Sequence, residues 1–319
     1  VILHDIRLGQ GFVNGIRFIF HSGYGLILPM NQQFKTIGLI GRPDTPALAD
    51  HIKSLMQYLA TRDVALLLEK STALQTNISV ATALELKHLC GQVDLIVVMG
   101  GDGTMLSAAR TVAPHNIPMV GINLGRLGFL TDIPIAETQT MLGGILDGDY
   151  TSEKRLLLHA EIIRAGKQVF STVALNDVVV SRGAMGSMIE FEVFVDDLIV
   201  YNLRSDGVII ATPTGSTAYA LSAGGPILHP HLSAFTLVPI SPHTLSNRPI
   251  VLASDSEVTV KLIRGANARV NFDVQSFFDI HPGDEVFVKA NDNPIRLIHP
   301  KGYSYYAMLR EKLHWSEKL

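Results

Sequence analysis

The sequence predicts an α/β domain with a mainly parallel sheet, followed by a β-rich domain of two packed, sandwich-like sheets. Up to about Gly148, apolar runs that resemble buried strands alternate with segments long enough to form helices. After Gly148 the runs are short, rich in β-branched and aromatic residues, and separated by turn residues. The chain has 319 residues, 47% of them hydrophobic, which is enough to bury the cores of two domains.

Residues 1–29 do not follow this pattern. The chain begins with Val1 and has no methionine before Met30. Arg, His, Asn and Gly interrupt the apolar residues, so the stretch lacks the roughly 18 consecutive apolar residues of a membrane span. It also lacks the basic start and compact apolar centre of a signal peptide. We interpret residues 1–29 as a non-native extension and expect the working protein to start at Met30.

Residues 30–148 are predicted to form the α/β domain. The run FKTIGLIGRP, from Phe34 to Pro43, indicates a buried strand that ends in a turn. Three further runs, VALLLE, DLIVVMGG and PMVGINLG, also resemble strands. Strands that are apolar on both faces predict a parallel sheet covered by helices on both sides. After the first strand, a helix is predicted by apolar residues at helical spacing, namely Leu48, Ile52, Leu55, Met56 and Leu59.

Residues 149–299 are predicted to form the β-rich domain. Their strand-like runs are LHAEIIRAG, VALNDVVVSRG, IEFEVFVDDLIVYN, DGVIIATPTG, FTLVPISP, EVTVKLIRG and DEVFVKAND. Alternation of apolar and polar residues is clearest from Ile189 to Val195. The cleft between the two domains is the expected place for a ligand. Residues 300–319 are expected to form a terminal helix that docks on the first domain through Tyr306, Leu309, Leu313 and Trp315.

The composition excludes several classes of protein. The single cysteine, Cys90, cannot form an internal disulfide, and no Cys/His spacing fits a structural zinc site. The formal net charge of −3 at pH 7 gives the chain no overall attraction for nucleic acid or anionic membranes. We therefore expect a cytoplasmic protein whose partners include neither nucleic acid nor a membrane.

The run VVMGGDGTML places an acid among three glycines directly after a predicted strand. Ligands of parallel α/β sheets bind beyond the carboxyl ends of the strands, where Gly100, Gly101 and Gly103 would let a ligand approach the backbone. A helix that opens with TMLSAARTVA after Gly103 would direct its free amides at the same place, which suits phosphate. Asp102 could take a proton from a hydroxyl, hold a metal that bridges phosphates, or cap the helix. The sequence contains neither a P-loop nor a G-x-G-x-x-G fingerprint.

The stretch RSDGVIIATPTGSTAYALSAGGPIL, from Arg204 to Leu228, is a second candidate for a binding site. It concentrates hydroxyls and glycines between two apolar runs, so it can offer several donors to a polar ligand, with Tyr219 as a stacking surface. Asp206 within it, and Asn176–Asp177 inside VALNDVVV, put polar groups in apolar surroundings. Buried carboxylates need partners, and the hydroxyls of a ribose are suitable ones.

Three motifs together resemble those of the bacterial NAD kinases. They are GGDGT at Gly100–Thr104, the Asn-acid pair at Asn176–Asp177, and TPTGSTAYALSAGGP at Thr212–Pro226. The resemblance includes NLGRLGFLTD and HPKGYSYY and extends from about Phe34 to the C-terminus. A GGDG loop also occurs in phosphofructokinases and in diacylglycerol- and sphingosine-type lipid kinases, so the combination with TGSTAY carries the resemblance.

The resemblance implies a kinase that transfers the γ-phosphate of ATP to the 2′-hydroxyl of the adenosine ribose of NAD, with Asp102 as general base. It also implies that Mg²⁺ arrives with ATP, without dedicated metal ligands in the protein, and that the protein is a homodimer or homotetramer. Asp177 stands where the family usually has Glu, which alters the geometry of that contact. The residues that the resemblance assigns to substrate binding are Gly100, Gly101, Gly103, Phe129, Asn176, Asp177, Arg204, Asp206, Thr217, Ala218, Tyr219, Ser222 and Gln275.

Two other functions stay open on the sequence alone. A lipid or sugar kinase could use the same glycine-rich loop, although such an activity leaves the TGSTAY stretch unexplained. A protein that binds NAD or NADP without chemistry would need the same pocket but no base.

Overall fold

The computed structural model describes residues 11–13, 16–18, 34–43, 45, 47–78, 83–183, 187–244 and 246–315. Two short strands, β1 (Gly11–Val13) and β2 (Ile16–Phe18), form an antiparallel pair. The predicted extension at residues 1–29, and the predicted start at Met30, otherwise lie outside the described residues.

The first domain is built on an eight-stranded sheet that is mainly parallel, as predicted. Every pair of neighbours in it runs parallel except the last, β22 with β9, which is antiparallel. Seven strands form one path, and β8 (Ile133–Pro134) pairs with β7 beside it. The path runs through β5 (Ala83–Leu84), β4 (Ala65–Glu69), β3 (Thr36–Gly41), β6 (Leu95–Gly100), β7 (Met119–Asn123), β22 (Ile295–Pro300) and β9 (Tyr150–Arg155).

Helices cover both faces of this sheet, because its central strands are apolar on both sides. All six residues of β6 are buried, with Val97 packed into one apolar cluster and Val98 into the other. The predicted stripe on the first helix is confirmed, with four of its five residues buried and Met56 partly buried. The helices are α1 (Leu48–Ala60), α2 (Lys70–Thr76), α3 (Leu86–Leu89), α4 (Asp102–Val112) and α5 (Thr138–Leu146).

Strands β9 and β22 join the first sheet, although all of their residues except Pro300 were predicted to belong to the second domain. They pair with each other from Ile295 opposite Arg155 to Pro300 opposite Tyr150. The sequence of β9, YTSEKR, has no apolar alternation because β9 is an edge strand whose residues are mostly not buried. Its place therefore depends on pairing with a strand far along the chain rather than on a local pattern.

The second domain consists of two six-stranded antiparallel sheets, as predicted. The first contains, in spatial order, β11 (Lys167–Ala174), β10 (Leu158–Arg164), β21 (Glu285–Ala290), β18 (Val258–Arg264), β13 (Ile189–Val195) and β14 (Leu198–Ser205). The second contains β17 (Ile250–Ala253), β16 (Ala234–Ile240), β15 (Gly207–Ala211), β12 (Asp177–Arg182), β19 (Ala268–Phe272) and β20 (Ser276–Asp279).

The two sheets share one apolar core, which makes the domain a sandwich. Phe191 and Val193 enter it from the first sheet, and Phe235 and Phe272 enter it from the second. Strand β13 alternates buried and half-buried residues, which confirms the pattern predicted for Ile189–Val195. The outer face of the second sheet is also apolar, and Ala220 of the short helix α6 (Tyr219–Ser222) packs against it.

The terminal helix α7 (Tyr305–Leu313) differs from the prediction in its contacts. The Tyr305 hydroxyl donates to the Leu228 carbonyl at 3.3 Å, so the helix touches a loop of the second domain. Leu309 is buried as expected, but Tyr306 and Trp315 are each 61% exposed. Within the described residues, none of the helices combines the length and the apolar character needed to span a bilayer.

Candidate active site

The glycine-rich loop lies at the carboxyl end of β6, where ligands of parallel sheets bind. Gly100 ends the strand, Gly101 is the N-cap, and α4 begins at Asp102, two residues before the predicted start. A Cβ at Gly100 would lie 2.4 Å from the Thr104 Oγ1, so the tight turn requires glycine there. A Cβ at Gly101 would meet no described atom within 4 Å. Gly101 and Gly103 both line a cavity, so the start of α4 borders open space that suits phosphate.

Asp102 uses its carboxylate to hold a second loop rather than to cap its own helix. The Phe129 amide donates to Oδ2 at 2.8 Å, and the Leu130 amide donates to Oδ1 at 2.9 Å. The N-cap residue is Gly101, and no side chain donates or accepts a capping hydrogen bond there. The alternative that Asp102 caps the helix is therefore wrong. Each carboxylate oxygen has two lone pairs, so the two amides fix the orientation of Asp102 and leave acceptor capacity for a hydroxyl proton.

Gly128 permits this arrangement. A Cβ at Gly128 would lie 2.0 Å from Oδ1 of Asp102, closer than two non-bonded atoms can approach. The loop can therefore approach Asp102 only with glycine at this position.

A cavity of about 640 Å³ adjoins the glycine-rich loop. It opens where β3, β4 and β6 end, and it is large enough for a nucleotide. Arg42 supplies a cation at its wall, and Thr104 and Ser107 supply hydroxyls from α4. Its lining residues are Ile40, Gly41, Arg42, Pro43, Glu69, Ser71, Leu86, Gly101, Gly103, Thr104, Ser107, Ala108 and Gln275.

A turn between β19 and β20 connects this loop to Asn176 and Asp177. Gln275 donates from Nε2 to the Gly103 carbonyl at 3.3 Å. Asp273 accepts hydrogen bonds from the amides of Leu175, Asn176 and Asp177 at 2.9, 2.7 and 3.2 Å. Asp273 thus orders the Asn-Asp pair in the way that Gln275 orders the glycine-rich loop.

Asp177 is a buried carboxyl with unused hydrogen-bonding capacity. Only 2% of the residue is exposed, and its Oδ1 has no hydrogen-bond partner among the described atoms. Burial, and then the charge of Asp273, raise the pKa of Asp177 to about 7. A buried carboxyl that changes charge near neutral pH is typical of a functional site.

The Thr212–Pro226 stretch has a buried first part, residues 212–216, and a more accessible second part. Thr212 donates to the Leu175 carbonyl at 2.5 Å, and Ser216 donates to the Pro213 carbonyl at 2.6 Å, so these buried hydroxyls serve the fold. Tyr219 is 43% exposed. The four residues assigned to substrate binding, Thr217, Ala218, Tyr219 and Ser222, all have accessible surface.

This stretch lies directly against Asn176. The Thr212 amide donates to the Asn176 carbonyl at 2.9 Å. A Cβ at Gly215 would lie 2.0 Å from the same carbonyl oxygen, so the turn can only be made with glycine. The structure therefore brings together Gly100, Gly101, Asp102, Gly103, Phe129, Asn176, Asp177, Gln275 and the turn that leads to Thr217–Ser222.

Arg204 and Asp206 lie elsewhere. Asp177 pairs with Ala211 at one end of β12, and Ser181 pairs with Gly207 at the other end. Asp206 forms a 2.6 Å ion pair with Arg182, at that far end. Asp177 and Arg182 are five residue steps apart along the strand, about 16 Å at the usual rise. Within one chain, these two assigned residues are not part of the site around Asp102.

Two family models match this chain. The model described as the ATP-NAD kinase N-terminal domain matches residues 37–150, and the model described as the ATP-NAD kinase C-terminal domain matches residues 175–300. The chain belongs to the ATP-NAD kinase family. An NAD kinase from Nitrosospira multiformis is 52% identical over 287 residues, which cover 90% of this chain and 98% of the relative. An NAD kinase from Cupriavidus pinatubonensis is 49% identical over 288 residues, 90% of this chain and 94% of the relative.

Solved structures of NAD kinases have the same fold. Yeast NADH kinase complexed with NADH superposes with a TM-score of 0.83 at 22% identity, covering 98% of this chain and 95% of the yeast chain. An NAD kinase from Archaeoglobus fulgidus in complex with ATP superposes with a TM-score of 0.69 at 26% identity, covering 88% of this chain and 98% of the Archaeoglobus chain. Membership of this family identifies the chain as a kinase and disfavours both the lipid or sugar kinase and the non-catalytic binding protein.

Three residues that contribute to the site were not predicted from the sequence. Arg42 follows a strand in an ordinary turn sequence, and only the assembled sheet shows that it faces the same cavity as Gly101. Asp273 interrupts the alternation of VNFDVQSFF, which is a local signal that could have found it. Gly128 lies within NLGRLGFLTD, and its closeness to Asp102 depends on contacts across the fold.

Proposed function

We propose that this chain phosphorylates the 2′-hydroxyl of the adenosine ribose of NAD with the γ-phosphate of ATP, giving NADP and ADP, and that Asp102 is the general base. One observation carries the proposal. Asp102 lies where the glycine-rich loop meets α4, and two backbone amides of the Gly128–Leu130 loop orient its carboxylate. Family membership supports NAD and ATP as the substrates.

The cavity beside the loop is suited to the triphosphate. The amides at the start of α4 and the Arg42 guanidinium favour anionic oxygens there. Asp102 would accept the proton of the 2′-hydroxyl as the hydroxyl oxygen forms its bond to the γ-phosphorus. The bond between that phosphorus and the β,γ-bridging oxygen then breaks, and the electron pair leaves on ADP.

Mg²⁺ would enter as part of the MgATP substrate. Hard divalent ions prefer oxygen ligands and keep several waters, so phosphate oxygens supply much of what Mg²⁺ needs. The hydroxyls of Thr104 and Ser107 are oxygen donors at the cavity wall and are compatible with such an ion. When bound, the ion would neutralise charge that develops on the phosphates. Titration of activity with Mg²⁺ after treatment with a chelator tests this dependence.

The dinucleotide would bind along the neighbouring surface. The free Oδ1 of Asp177 would satisfy its hydrogen bonding with a ribose hydroxyl, and the exposed ring of Tyr219 offers a stacking face. The other proposed contacts are Phe129, Asn176, Thr217, Ala218, Ser222 and Gln275.

The test of this function compares Asp102→Asn with Asp94→Asn. Asparagine keeps the shape of residue 102 but cannot act as a base and can accept from only one of the two amides, so we expect kcat for NADP formation to fall by roughly 10²-fold or more. NAD affinity should stay within about threefold because the change affects the transition state more than binding. NADP is measured with an NADP-specific dehydrogenase.

Asp94 is the matched control because its carboxylate also accepts two backbone amides, from Lys35 at 2.8 Å and from Thr36 at 3.1 Å. It precedes β6 and therefore lies at the opposite end of that strand from Asp102. We expect Asp94→Asn to keep kcat. Near-normal turnover of Asp102→Asn would contradict the role of Asp102, and absence of NADP from the unmodified chain would contradict the reaction.

We also propose that the protein is a homodimer or homotetramer. Strand β14 lies at the edge of its sheet, and Leu198 and Ile199 there are 72% and 59% exposed. An apolar edge strand favours association with another chain. Light scattering should give a mass that is two or four times the 34.7 kDa of one chain, and a monomer at micromolar concentration would contradict the proposal.

A further inference from the structure

A buried network of polar side chains lies at the junction of the two domains and takes no part in the mechanism above. We call it the His299 network; it consists of Asp132, Glu153, Arg155, Thr214, His299 and Tyr303. Its centre is the His299 ring, whose Nδ1 lies 2.8 Å from Oδ2 of Asp132 and whose Nε2 lies 2.8 Å from Oε1 of Glu153. The side chains of His299, Asp132 and Glu153 are only 3%, 5% and 11% exposed.

These distances determine the charge of His299. An ionised carboxylate can only accept hydrogen bonds, so both ring nitrogens must donate. A neutral imidazole has only one N–H, so His299 must be the imidazolium ion, which has two and carries a positive charge. His299 with Arg155 also balances Asp132 with Glu153, so the protonated network is electrically neutral in a place where a net charge would be costly.

The groups around His299 support this assignment. Tyr303 stacks on the imidazole with ring centroids 3.9 Å apart, and the second oxygen of Glu153 lies 3.1 Å from Nε2 of His231. Burial lowers the pKa of His299, but its hydrogen bonds to Asp132 and Glu153 outweigh burial and raise that pKa. Burial raises the pKa of Glu153, but His299 and Arg155 outweigh it and bring that pKa to about 2. Burial raises the pKa of Tyr303 to about 12 and also raises that of Tyr305, so both phenols stay neutral and add no negative charge beside His299.

One arm of the network reaches the loop that orients Asp102. Asp132 directly follows Thr131, whose hydroxyl lies 3.4 Å from Oδ1 of Asp102 and accepts a hydrogen bond from Asn123 at 2.8 Å. The Phe129 and Leu130 amides that bind Asp102 belong to the same loop. A shift of Asp132 would therefore move the donors that aim the proposed base.

The other arm reaches the turn beside Asn176. Glu153 pairs with Arg155, and Arg155 donates from a guanidinium nitrogen to the Thr214 hydroxyl at 3.2 Å. Thr214 precedes Gly215, which packs against the Asn176 carbonyl. The network thus joins the two loops that must face each other for the hydroxyl of one substrate to meet the phosphate of the other.

We propose that His299 is a positioning residue for the kinase reaction, which holds the Asp102 loop and the Thr214 turn in register through its two charged hydrogen bonds. The inference rests on the proposed function. When His299 loses its second proton, it can keep only one of the two carboxylates, and the other is left buried without its donor. Turnover therefore falls as pH rises through the pKa of His299, without a matching loss of substrate affinity.

The experiment compares His299→Gln, Asp132→Asn and His159→Gln with the unmodified chain between about pH 6 and about pH 10. Glutamine offers a donor to one carboxylate only, so kcat at neutral pH should fall roughly tenfold or more, with KM for NAD and ATP within about threefold. In Asp132→Asn, neutral His299 can accept from the Asn amide and donate to Glu153, so kcat should fall by less than about threefold and should no longer decline at alkaline pH. His159 is the matched control because it is also a histidine beside a carboxylate, 3.7 Å from Glu161, but it lies on β10 in the first sheet of the second domain. His159→Gln should keep the pH profile of the unmodified chain.

Rates are divided by the concentration of NAD-binding sites from calorimetric titration, and melting temperatures are measured in parallel. A role in folding alone would lower the number of sites while kcat per site and the pH profile stay unchanged, which would overturn the inference. An alkaline decline that persists in both His299→Gln and Asp132→Asn would overturn it as well. Absence of NADP from the unmodified chain would overturn the proposed function and this inference with it. If the unmodified chain forms NADP and His299→Gln has the same kcat and pH profile, only the inference is overturned.

Discussion

The protonation state of Asp177 affects both the stability of the fold and the proposed dinucleotide site. Its carboxyl is buried beside Asp273, which already uses both of its oxygens to accept backbone amides. The fold therefore buries two neighbouring acids, and burial together with the charge of Asp273 lets Asp177 hold its proton to about pH 7. This is a cost in the free enzyme that a ligand with hydroxyl donors would relieve.

At this residue we predict that Asp177→Asn stabilises the unliganded protein at alkaline pH. The pKa of the Asp177 carboxyl is about 7 in the folded protein, compared with 3.8 for an aspartate side chain free in water. Folding therefore favours the neutral form, and its contribution is complete below pH 3.8 and is lost as pH rises through about 7. Three pKa units correspond to at most about 4 kcal/mol, so the variant should gain about 2–4 kcal/mol at pH 8.5 and less than about 1 kcal/mol at pH 4.

Urea unfolding at the two pH values measures this gain. Asp255→Asn is the control because Asp255 is exposed, and it should change the free energy of unfolding by less than about 0.5 kcal/mol at either pH. Equal stability of Asp177→Asn and the unmodified protein at pH 8.5 would show that Asp177 is ionised in the fold without penalty.

At the scale of secondary-structure elements, the position of α4 depends on its fit to the Gly128 loop. We predict that Gly128→Ala lowers kcat by roughly 10²-fold, because its Cβ would meet Oδ1 of Asp102 at 2.0 Å and displace the carboxylate or its amide donors. Gly125→Ala, in the same loop, would add a Cβ that has no described atom within 4 Å, so it should keep kcat within about threefold. Steady-state kinetics of the two variants provide the comparison, and equal losses would mean that the loop tolerates no side chain for reasons other than Asp102.

Sequence alone predicted the elements whose evidence is local. The run before Gly100, the stripe on α1 and the alternation in β13 all show the periodicity of their structures, because burial of those residues follows the repeat of a strand or helix. It could not place the polar strand β9, whose only guide is its pairing with a strand more than a hundred residues later. The same holds within the site: Asp102 was predicted as the central residue of its loop, but its donors come from Phe129 and Leu130, and those of Asp273 come from almost a hundred residues away.

For the whole molecule, the important feature is how the second domain is inserted into the first. The chain leaves the first sheet after Arg155, builds both sheets of the sandwich, and returns at Ile295 directly opposite Arg155. Strands β9 and β22 therefore flank the second domain along the chain, but both are part of the first domain's sheet. Ile295, Leu297 and Ile298 of β22 are buried in the two apolar clusters of the first domain.

We predict that residues 34–148 alone do not fold, whereas residues 34–155 joined to 295–315 by Asn-Gly do. The shorter chain loses β22, whose three buried side chains stabilise by about 1.5–3 kcal/mol each, a total comparable to the roughly 5–15 kcal/mol of a whole domain. In the joined chain, Arg155 and Ile295 are already opposite each other in an antiparallel pair, so a two-residue type I′ turn can connect them. Far-UV circular dichroism during urea titration should show a cooperative transition for the joined chain and none for residues 34–148. A cooperative transition in both would mean that β22 contributes little to the first domain, and none in either would mean that the sandwich is needed to form its sheet.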